Sequence, residues 1–192
     1  DANRTTEYLY SPDGLLARLT LRNAVTGDQV TRWVYGTTFD DSQVARADLL
    51  RAKIYPESDD GDDPLSNGVD GIYERIEYGY NAQGQIVHMK DPNGTEHVYD
   101  YDQLGRPVHD RVTVLADGVD PAVLRISRQY ENRGMLARIS SYDDATVGSG
   151  DVVNEVERLY DAAGNLAEDR QSAAGAVGAT TPRVGYEYAL GS

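Results

Sequence analysis

The sequence predicts an all-β fold in which consecutive antiparallel β-hairpins form a twisted or spiralling sheet. One short pattern, tyrosine followed by glycine four residues later and by an apolar residue two further on, recurs along the chain. The aromatic residues are almost all tyrosine, with 14 Tyr against one Trp and one Phe, and 19 of the 192 residues are glycine. Recurrence of one short unit is typical of repeat proteins, in which each unit packs on its neighbours.

The pattern occurs five times, and a sixth copy begins at Tyr188. The five copies are YSPDGLL from Tyr10, YNAQGQI from Tyr80, YDQLGRP from Tyr101, YENRGML from Tyr130 and YDAAGNL from Tyr160. From Tyr80 onward the spacing is roughly 20 to 30 residues, as for a single supersecondary unit. We therefore expect three regions: a repeat hairpin in 1–23, a divergent hairpin with an acidic loop insertion in 24–75, and tandem repeat hairpins that end within a repeat in 76–192.

Each copy has the composition of a tight turn. A polar residue follows most of the tyrosines and glycine comes four residues after each, which is typical of a type I turn closed by a left-handed residue. This is the three-residue hairpin loop with a glycine bulge. We expect the first turn residue, such as aspartate, to accept hydrogen bonds within the turn. The predicted structural repeat residues are Tyr10, Gly14, Tyr80, Gly84, Tyr101, Asp102, Gly105, Tyr130, Gly134, Tyr160, Asp161 and Gly164.

This turn geometry predicts the register of each hairpin. The repeat tyrosine lies opposite the residue six positions later, and that residue is apolar in all five copies, as an aromatic–aliphatic pair requires. The five predicted partners are Leu16, Ile86, Pro107, Leu136 and Leu166. Continued along the strands, the same register places Arg128 opposite Arg138 and Arg158 opposite Glu168.

The remaining segments also predict strands, with one exception. The segment from Leu16 to Gly36 has the pattern of a strand, a turn at Thr26–Gly27 and a second strand, and "LLRAKIYP" that of a strand ended by Pro56. "DSQVARADLL" is compatible with one short helical turn capped by Ser42.

Charge and composition exclude several classes of function. The net charge of −14 argues against nucleic acid and anionic membranes as partners. The absence of cysteine excludes disulfides and thiolate chemistry. No apolar run approaches the roughly 18 residues of a membrane-spanning helix, so we expect no membrane insertion.

The segment "GTEHVYDYDQLGRP", residues 94–107, resembles the repeat of the RHS/YD-repeat family, with Pro107 where leucine is usual. The other copies are similar but looser, and residues 24–75 match poorly. The resemblance implies a spiral strip of β-hairpins, of which this chain would be an arc. In bacteria such a strip forms a shell around a C-terminal toxin, and in teneurins it belongs to an adhesion protein. It also implies a secreted or cell-surface location, with neighbouring repeats and enclosed toxin or effector cargo as partners.

No residues in the sequence stand out as catalytic or cofactor-binding. "DPNG", residues 91–94, resembles the motif at which some family members cleave themselves, but another repeat follows it, which favours a turn. We expect a non-catalytic structural segment of an RHS shell that encloses or displays a toxin or effector. The alternative is a carbohydrate-binding or adhesive surface, in which Tyr8, Tyr78 and Tyr99 stack on sugar rings.

Two groups of residues are candidate metal ligands. The carboxylates of Asp59, Asp60, Asp62 and Asp63 are of the type that binds calcium, although their spacing is not that of an EF-hand, and a solvated loop is the alternative. His88, His97 and His109 are compatible with zinc. Surface positions opposite Tyr78 and Tyr99 explain the first and third of these histidines more simply.

Overall fold

The computed structural model of the chain describes residues 5–56, 58–62 and 65–188, and these contain thirteen β-strands and no helix. The predicted all-β fold of consecutive antiparallel hairpins is confirmed. None of the described residues belongs to a helix long and apolar enough to cross a membrane.

The chain forms two compact units, residues 1–96 and 97–192. The first unit contains six strands: β1 Thr5–Tyr10, β2 Leu16–Arg22, β3 Gln29–Tyr35, β4 Leu50–Ile54, β5 Arg75–Tyr80 and β6 Ile86–Lys90. The other seven strands are β7 Glu96–Tyr101, β8 Pro107–Val114, β9 Arg125–Tyr130, β10 Leu136–Tyr142, β11 Val152–Tyr160, β12 Leu166–Ser172 and β13 Arg183–Gly185.

Strand order in the sheet follows chain order within each unit, and the neighbours are antiparallel. The divergent region 24–75 therefore completes the sheet: β4 lies between β3 and β5, with Val34 opposite Ala52 and Lys53 opposite Ile76. Two long connections of this region, 36–49 and 55–74, separate these strands along the chain.

The cross-strand pair next to the turn is the one that the sequence predicts. The tyrosine lies opposite the residue six positions later in four hairpins, which confirms that pairing. The pairs are Tyr10 with Leu16, Tyr80 with Ile86, Tyr130 with Leu136 and Tyr160 with Leu166.

Beyond this first pair the predicted register is wrong by one residue. The register shifts between Leu136 and Arg138, so Arg138 lies opposite Gln129 while Arg128 lies opposite Ile139. A β-bulge of this kind opposes two residues of one strand to one of the other. The predicted clash of two arginines is thereby avoided, and an aliphatic residue occupies the position instead.

The same shift occurs in the hairpins of Tyr10, Tyr80 and Tyr160. Arg158 lies opposite Asp169 rather than Glu168. Similarly, Tyr78 lies opposite Met89, and His88 lies opposite Gly79, so the position predicted for His88 is also wrong.

The segment around Ser42 forms a turn rather than the predicted helical turn. The N–H of Ser42 donates to the carbonyl of Thr38, while its Oγ accepts from the N–H of Tyr80 at 3.1 Å. Gln43 donates to the carbonyl of Tyr80 at 2.7 Å. The hydroxyl thus stabilises the end of β5, and the costly nucleation of an isolated helical turn is avoided.

Buried side chains are mostly polar among the described residues. Three apolar residues are buried: Ala52, Ile54 and Tyr80. The buried polar residues are Thr20, Thr37, Asp60, Arg75, Thr95, Arg125, Ser127, Ser140 and Glu155. Buried polar groups need hydrogen-bond partners, so the interior of each unit is organised by specific polar contacts as much as by apolar packing.

Candidate functional site

The repeat glycines all adopt the left-handed backbone conformation that closes the hairpin turns. Their φ angles lie between 77° and 93°, and each glycine N–H donates to the carbonyl of the residue that follows the repeat tyrosine. In the hairpin of Tyr101 this bond joins Gly105 to Asp102 at 2.9 Å. Residues with a Cβ adopt this conformation at a cost, which explains the choice of glycine. The glycines concerned are Gly14, Gly84, Gly105, Gly134 and Gly164.

The first turn residue accepts hydrogen bonds from the turn backbone. Asp102 Oδ1 accepts from the N–H of Leu104 at 2.9 Å and of Arg106 at 3.0 Å, and its other oxygen pairs with the Arg106 guanidinium. These bonds lower the pKa of Asp102. Asp161 accepts from the Asn165 side chain and N–H, which likewise lowers its pKa.

The repeat tyrosines connect successive hairpins through their hydroxyl groups. In four of them the hydroxyl donates to the backbone carbonyl of the residue that begins the second strand of the preceding pair. The bonds run from Tyr80 to Leu50 at 2.7 Å, from Tyr130 to Pro107 at 2.9 Å, from Tyr160 to Leu136 at 2.9 Å and from Tyr188 to Leu166 at 3.0 Å. We call this set the tyrosine ladder. The repeat tyrosine therefore packs within its own hairpin and bonds to the one before it.

A buried arginine at the start of β5 holds the acidic loop against the sheet. Arg75 Nη1 lies 2.8 Å from Asp60 Oδ2 and its Nε 2.6 Å from Glu77 Oε1. The same guanidinium donates to the carbonyl of Ser66 at 2.9 Å and lies 4.6 Å from the ring of Tyr73. Together these contacts hold residues 60, 66 and 73 of this connection beside Arg75.

A second buried arginine, at the start of β9, holds another loop in the same way. Arg125 donates to the carbonyls of Asp144 at 2.7 Å and Ser149 at 2.9 Å, and also to that of Thr146. Its Nε donates to Ser127 Oγ at 3.2 Å. The loop 143–151 is thereby fixed around one guanidinium.

Both arginines lie five residues before a repeat tyrosine, a position that the sequence analysis did not identify. Glu155 occupies the same position before Tyr160, is also buried, and accepts from the N–H of Val177 at 3.0 Å. The signal available in the sequence was a charged residue five positions before four of the five repeat tyrosines. Its partners are mostly backbone atoms of long loops, which no sequence pattern specifies.

The predicted calcium ligands have different surroundings. Asp60 is buried and pairs with Arg75, while Asp62 lies 3.0 Å from the guanidinium of Arg32. Asp59 accepts from the backbone N–H groups of residues 69 and 70, and Asp63 lies outside the described residues. Calcium binding by these four aspartates stays a prediction.

Among the described residues, ligand atoms of Asp59, Asp70 and Glu74 lie within 4.8 Å of one another. Only Asp59 of this group belongs to the predicted calcium set. Two of its members are exposed, and exposed carboxylates in a loop are well solvated without an ion.

Each histidine has a polar side-chain neighbour. His88 Nε2 lies 3.3 Å from Glu96 Oε2, and His97 Nδ1 lies 2.7 Å from Asp110 Oδ1. His109 lies opposite Ser127 in the sheet, with 2.9 Å between Nδ1 and the serine Oγ. Burial lowers the pKa of His109, so its neutral form is favoured at neutral pH.

The segment "DPNG" forms a turn of the same type as the repeat turns. Gly94 donates to the carbonyl of Asp91 at 3.0 Å and has a φ of 90°. Asp91 Oδ1 accepts from the N–H groups of Asn93 and Thr95, both at 2.9 Å. The aspartate therefore has the same capping role as Asp102.

The RHS Repeat family model matches residues 80–118, which include the hairpins of Tyr80 and Tyr101. No curated protein sequence matches the chain.

Three solved structures are similar over most of this chain. TcdB2–TccC3 is 15% identical over 96% of the chain with a TM-score of 0.33, and TcdB2–TccC3–Cdc42 is 14% identical over 86% with 0.28. The Tc holotoxin pore of Photorhabdus luminescens is 14% identical over 88% with 0.27. The chain spans only 10% to 12% of the length of these structures.

Proposed function

We propose, from the premise that this chain is an RHS-repeat protein, that it is a non-catalytic structural segment of a β-sheet wall. The tyrosine ladder carries this proposal. The same side-chain-to-backbone bond recurs at successive hairpins, so each hairpin presents to the next the acceptor that it uses from the previous one. A unit with this property extends a sheet without changing its own structure.

The wall would enclose or display a toxin or effector domain of a secreted or surface protein. The family resemblance supports this finer proposal, since shells of this repeat enclose such cargo in bacteria. In that case the segment contributes no chemistry itself, and its partners are the neighbouring repeats and the enclosed polypeptide.

The test measures how well the full parent protein protects its enclosed polypeptide from a protease. We expect limited trypsin digestion to spare the cargo in the wild type and to release it when Tyr130 and Tyr160 are both replaced by phenylalanine. A Tyr10→Phe protein is the matched control, because the hydroxyl of Tyr10 has no partner among the described residues. A cargo digested at one rate in all three proteins would contradict enclosure by this wall.

A carbohydrate-binding surface is the second candidate, and one observation favours it. Tyr8 and Tyr10 in β1 are 56% and 57% exposed, so their rings are accessible to a sugar. Tyr78 is less suitable, because it is only partly exposed and its burial raises the pKa of the hydroxyl. Glycan-array binding that is lost in Tyr8→Ala, with Tyr78→Ala and Tyr99→Ala measured alongside, would favour adhesion over the wall.

A further inference from the structure

Arg75 and Arg125 are equivalent residues of two repeats. Each begins a strand, lies five residues before a repeat tyrosine and is buried, with 4% and 3% of its surface exposed. Each guanidinium also lies over a tyrosine ring, at 4.6 Å from Tyr73 and 3.9 Å from Tyr142. The two sites therefore form an internal comparison.

The comparison shows a difference in charge. Arg75 forms ion pairs with two carboxylates, Asp60 and Glu77. Arg125 forms no ion pair with a described residue, since its partners are one hydroxyl and three backbone carbonyls. Two residues after each arginine, Glu77 in the first site is replaced by Ser127 in the second.

The carboxylate of Asp144 forms no ion pair with Arg125, although the two charges act on each other at longer range. Asp144 binds Arg125 through its backbone carbonyl, while its carboxylate accepts from the N–H of Thr146 at 2.6 Å. A buried cation is costly without a counter-ion, even where neutral acceptors satisfy its hydrogen bonds. Arg125 thus lacks the carboxylates in direct contact that its equivalent possesses.

An open cavity of about 320 Å³ adjoins Arg125. Its lining includes His109, Ser127, Gln129 and Tyr142 and the loop residues 147–150, and it contains no Asp or Glu although the whole chain carries a net charge of −14. The lining therefore offers donors and positive charge within an acidic protein.

The loop adds backbone donors to the cavity. Gly148 and Gly150 have φ angles of 87° and 79°, and their N–H groups donate to no described residue. A Cβ on Gly150 would lie 2.6 Å from the Cβ of Asp144, so only glycine fits there. The N–H of Ser149 between the two glycines donates to the carbonyl of Thr146 at 3.1 Å, so the loop leaves two alternate N–H groups that an anion can accept from.

We propose that this cavity binds a small oxyanion, of the carboxylate or phosphate class, which acts as the counter-ion of Arg125. Ser127, His109 and the two glycines line the cavity beside Arg125, so the oxyanion would lie among these residues. Free phosphate and a carboxylate side chain of a bound polypeptide share this chemistry. The proposal does not depend on the wall function.

Three probes distinguish the sources: sodium phosphate, sodium acetate and a blocked tripeptide with a central aspartate. Each is titrated into the isotopically labelled protein at constant ionic strength, with chloride as the balancing anion. We expect saturable binding of at least one probe, with amide shifts at Gly148 and Gly150 and none at Gly164 or Gly175. Phosphate alone would indicate a free ion, and the peptide or acetate a carboxylate ligand.

Two variants test whether the anion binds as the counter-ion of Arg125. Ser127→Glu places a carboxylate where Glu77 stands in the equivalent site, so the affinity for the anion should fall at least tenfold. Gln171→Glu adds the same charge at an exposed position outside the cavity lining and should bind as the wild type does. The proposal is overturned if no probe saturates at tens of millimolar, if the shifts lie away from the loop, or if a folded Ser127→Glu protein binds as tightly as the wild type.

Discussion

The hydroxyl of Tyr160 donates to the backbone carbonyl of Leu136 at 2.9 Å and thereby joins two successive hairpins. Leu136 is itself the residue opposite the preceding repeat tyrosine, Tyr130. One residue thus serves as the apolar partner of one tyrosine through its side chain and as the acceptor of the next through its backbone. Because the acceptor is a main-chain atom, the side chain at that position remains free to vary among apolar residues.

Removal of this hydroxyl should destabilise the protein by a small and measurable amount. Tyr160→Phe keeps the ring and leaves the Leu136 carbonyl without its donor, so we expect a loss of about 1 kcal/mol of unfolding free energy. Urea denaturation measures the change. Tyr10→Phe is the control, with an expected change below about 0.5 kcal/mol because that hydroxyl has no described partner. Equal losses in both variants would contradict the ladder.

The turn glycines should not tolerate a Cβ even where there is room for one. Gly134 has a φ of 93°, and an added Cβ would make only an ordinary contact of 3.5 Å with Arg106 Nη1. Gly134→Ala should therefore cost roughly 1 to 2 kcal/mol from backbone conformation alone. Gly178 is not left-handed and has open space around it, so Gly178→Ala should be neutral or slightly stabilising. A neutral Gly134→Ala in thermal unfolding would argue against this conformation.

The two ion pairs of the acidic loop should differ in strength. Asp60→Asn removes a buried charge next to Arg75, and we expect a loss of about 3 kcal/mol of unfolding free energy. Asp62→Asn removes an exposed partner of Arg32 and should cost less than about 1 kcal/mol. Denaturant midpoints of the two variants give the comparison, and similar values would show that Asp60 does not anchor the loop.

Acid should weaken the hairpin turns. The pKa of Asp102 lies below its ordinary value of 3.8 because the Arg106 N–H and guanidinium donate to it, and that of Asp161 is lowered by Asn165. A lowered pKa in the folded state means that the stabilisation is present above the ordinary value and is lost as the pH falls through the folded value.

Thermal unfolding between about pH 5 and pH 2 measures this effect. We expect the melting temperature of the wild type to fall more steeply than that of a protein with Asp102→Asn and Asp161→Asn, because asparagine keeps the acceptor oxygen and does not titrate. Parallel curves for the two proteins would exclude these carboxylates as the cause.

The fold could be predicted because the repeat determines local geometry. The spacing of tyrosine and glycine specifies a turn, and the turn specifies the first cross-strand pair, such as Tyr130 with Leu136. The bulge that follows could not be predicted, since it leaves no mark on residue type at position 137. For that reason the position opposite Arg128 was assigned wrongly.

The candidate site was less predictable than the fold. The role of Arg125 depends on carbonyl oxygens of residues 144, 146 and 149, and every residue has such an oxygen. The acidic run that begins at Asp59 predicted metal ligands, whereas Asp60 lies buried beside Arg75. Long loops place charged groups by backbone contacts, which residue spacing does not encode.

Sequential strand order has a consequence for how such a chain evolves. Within each unit a strand contacts only the strands that precede and follow it. Duplicating or deleting one complete hairpin in the gene would change the number of strands in the sheet. The remaining strands would keep their pairing. The length of the sheet is then free to change between descendants without rearranging any remaining pair of strands.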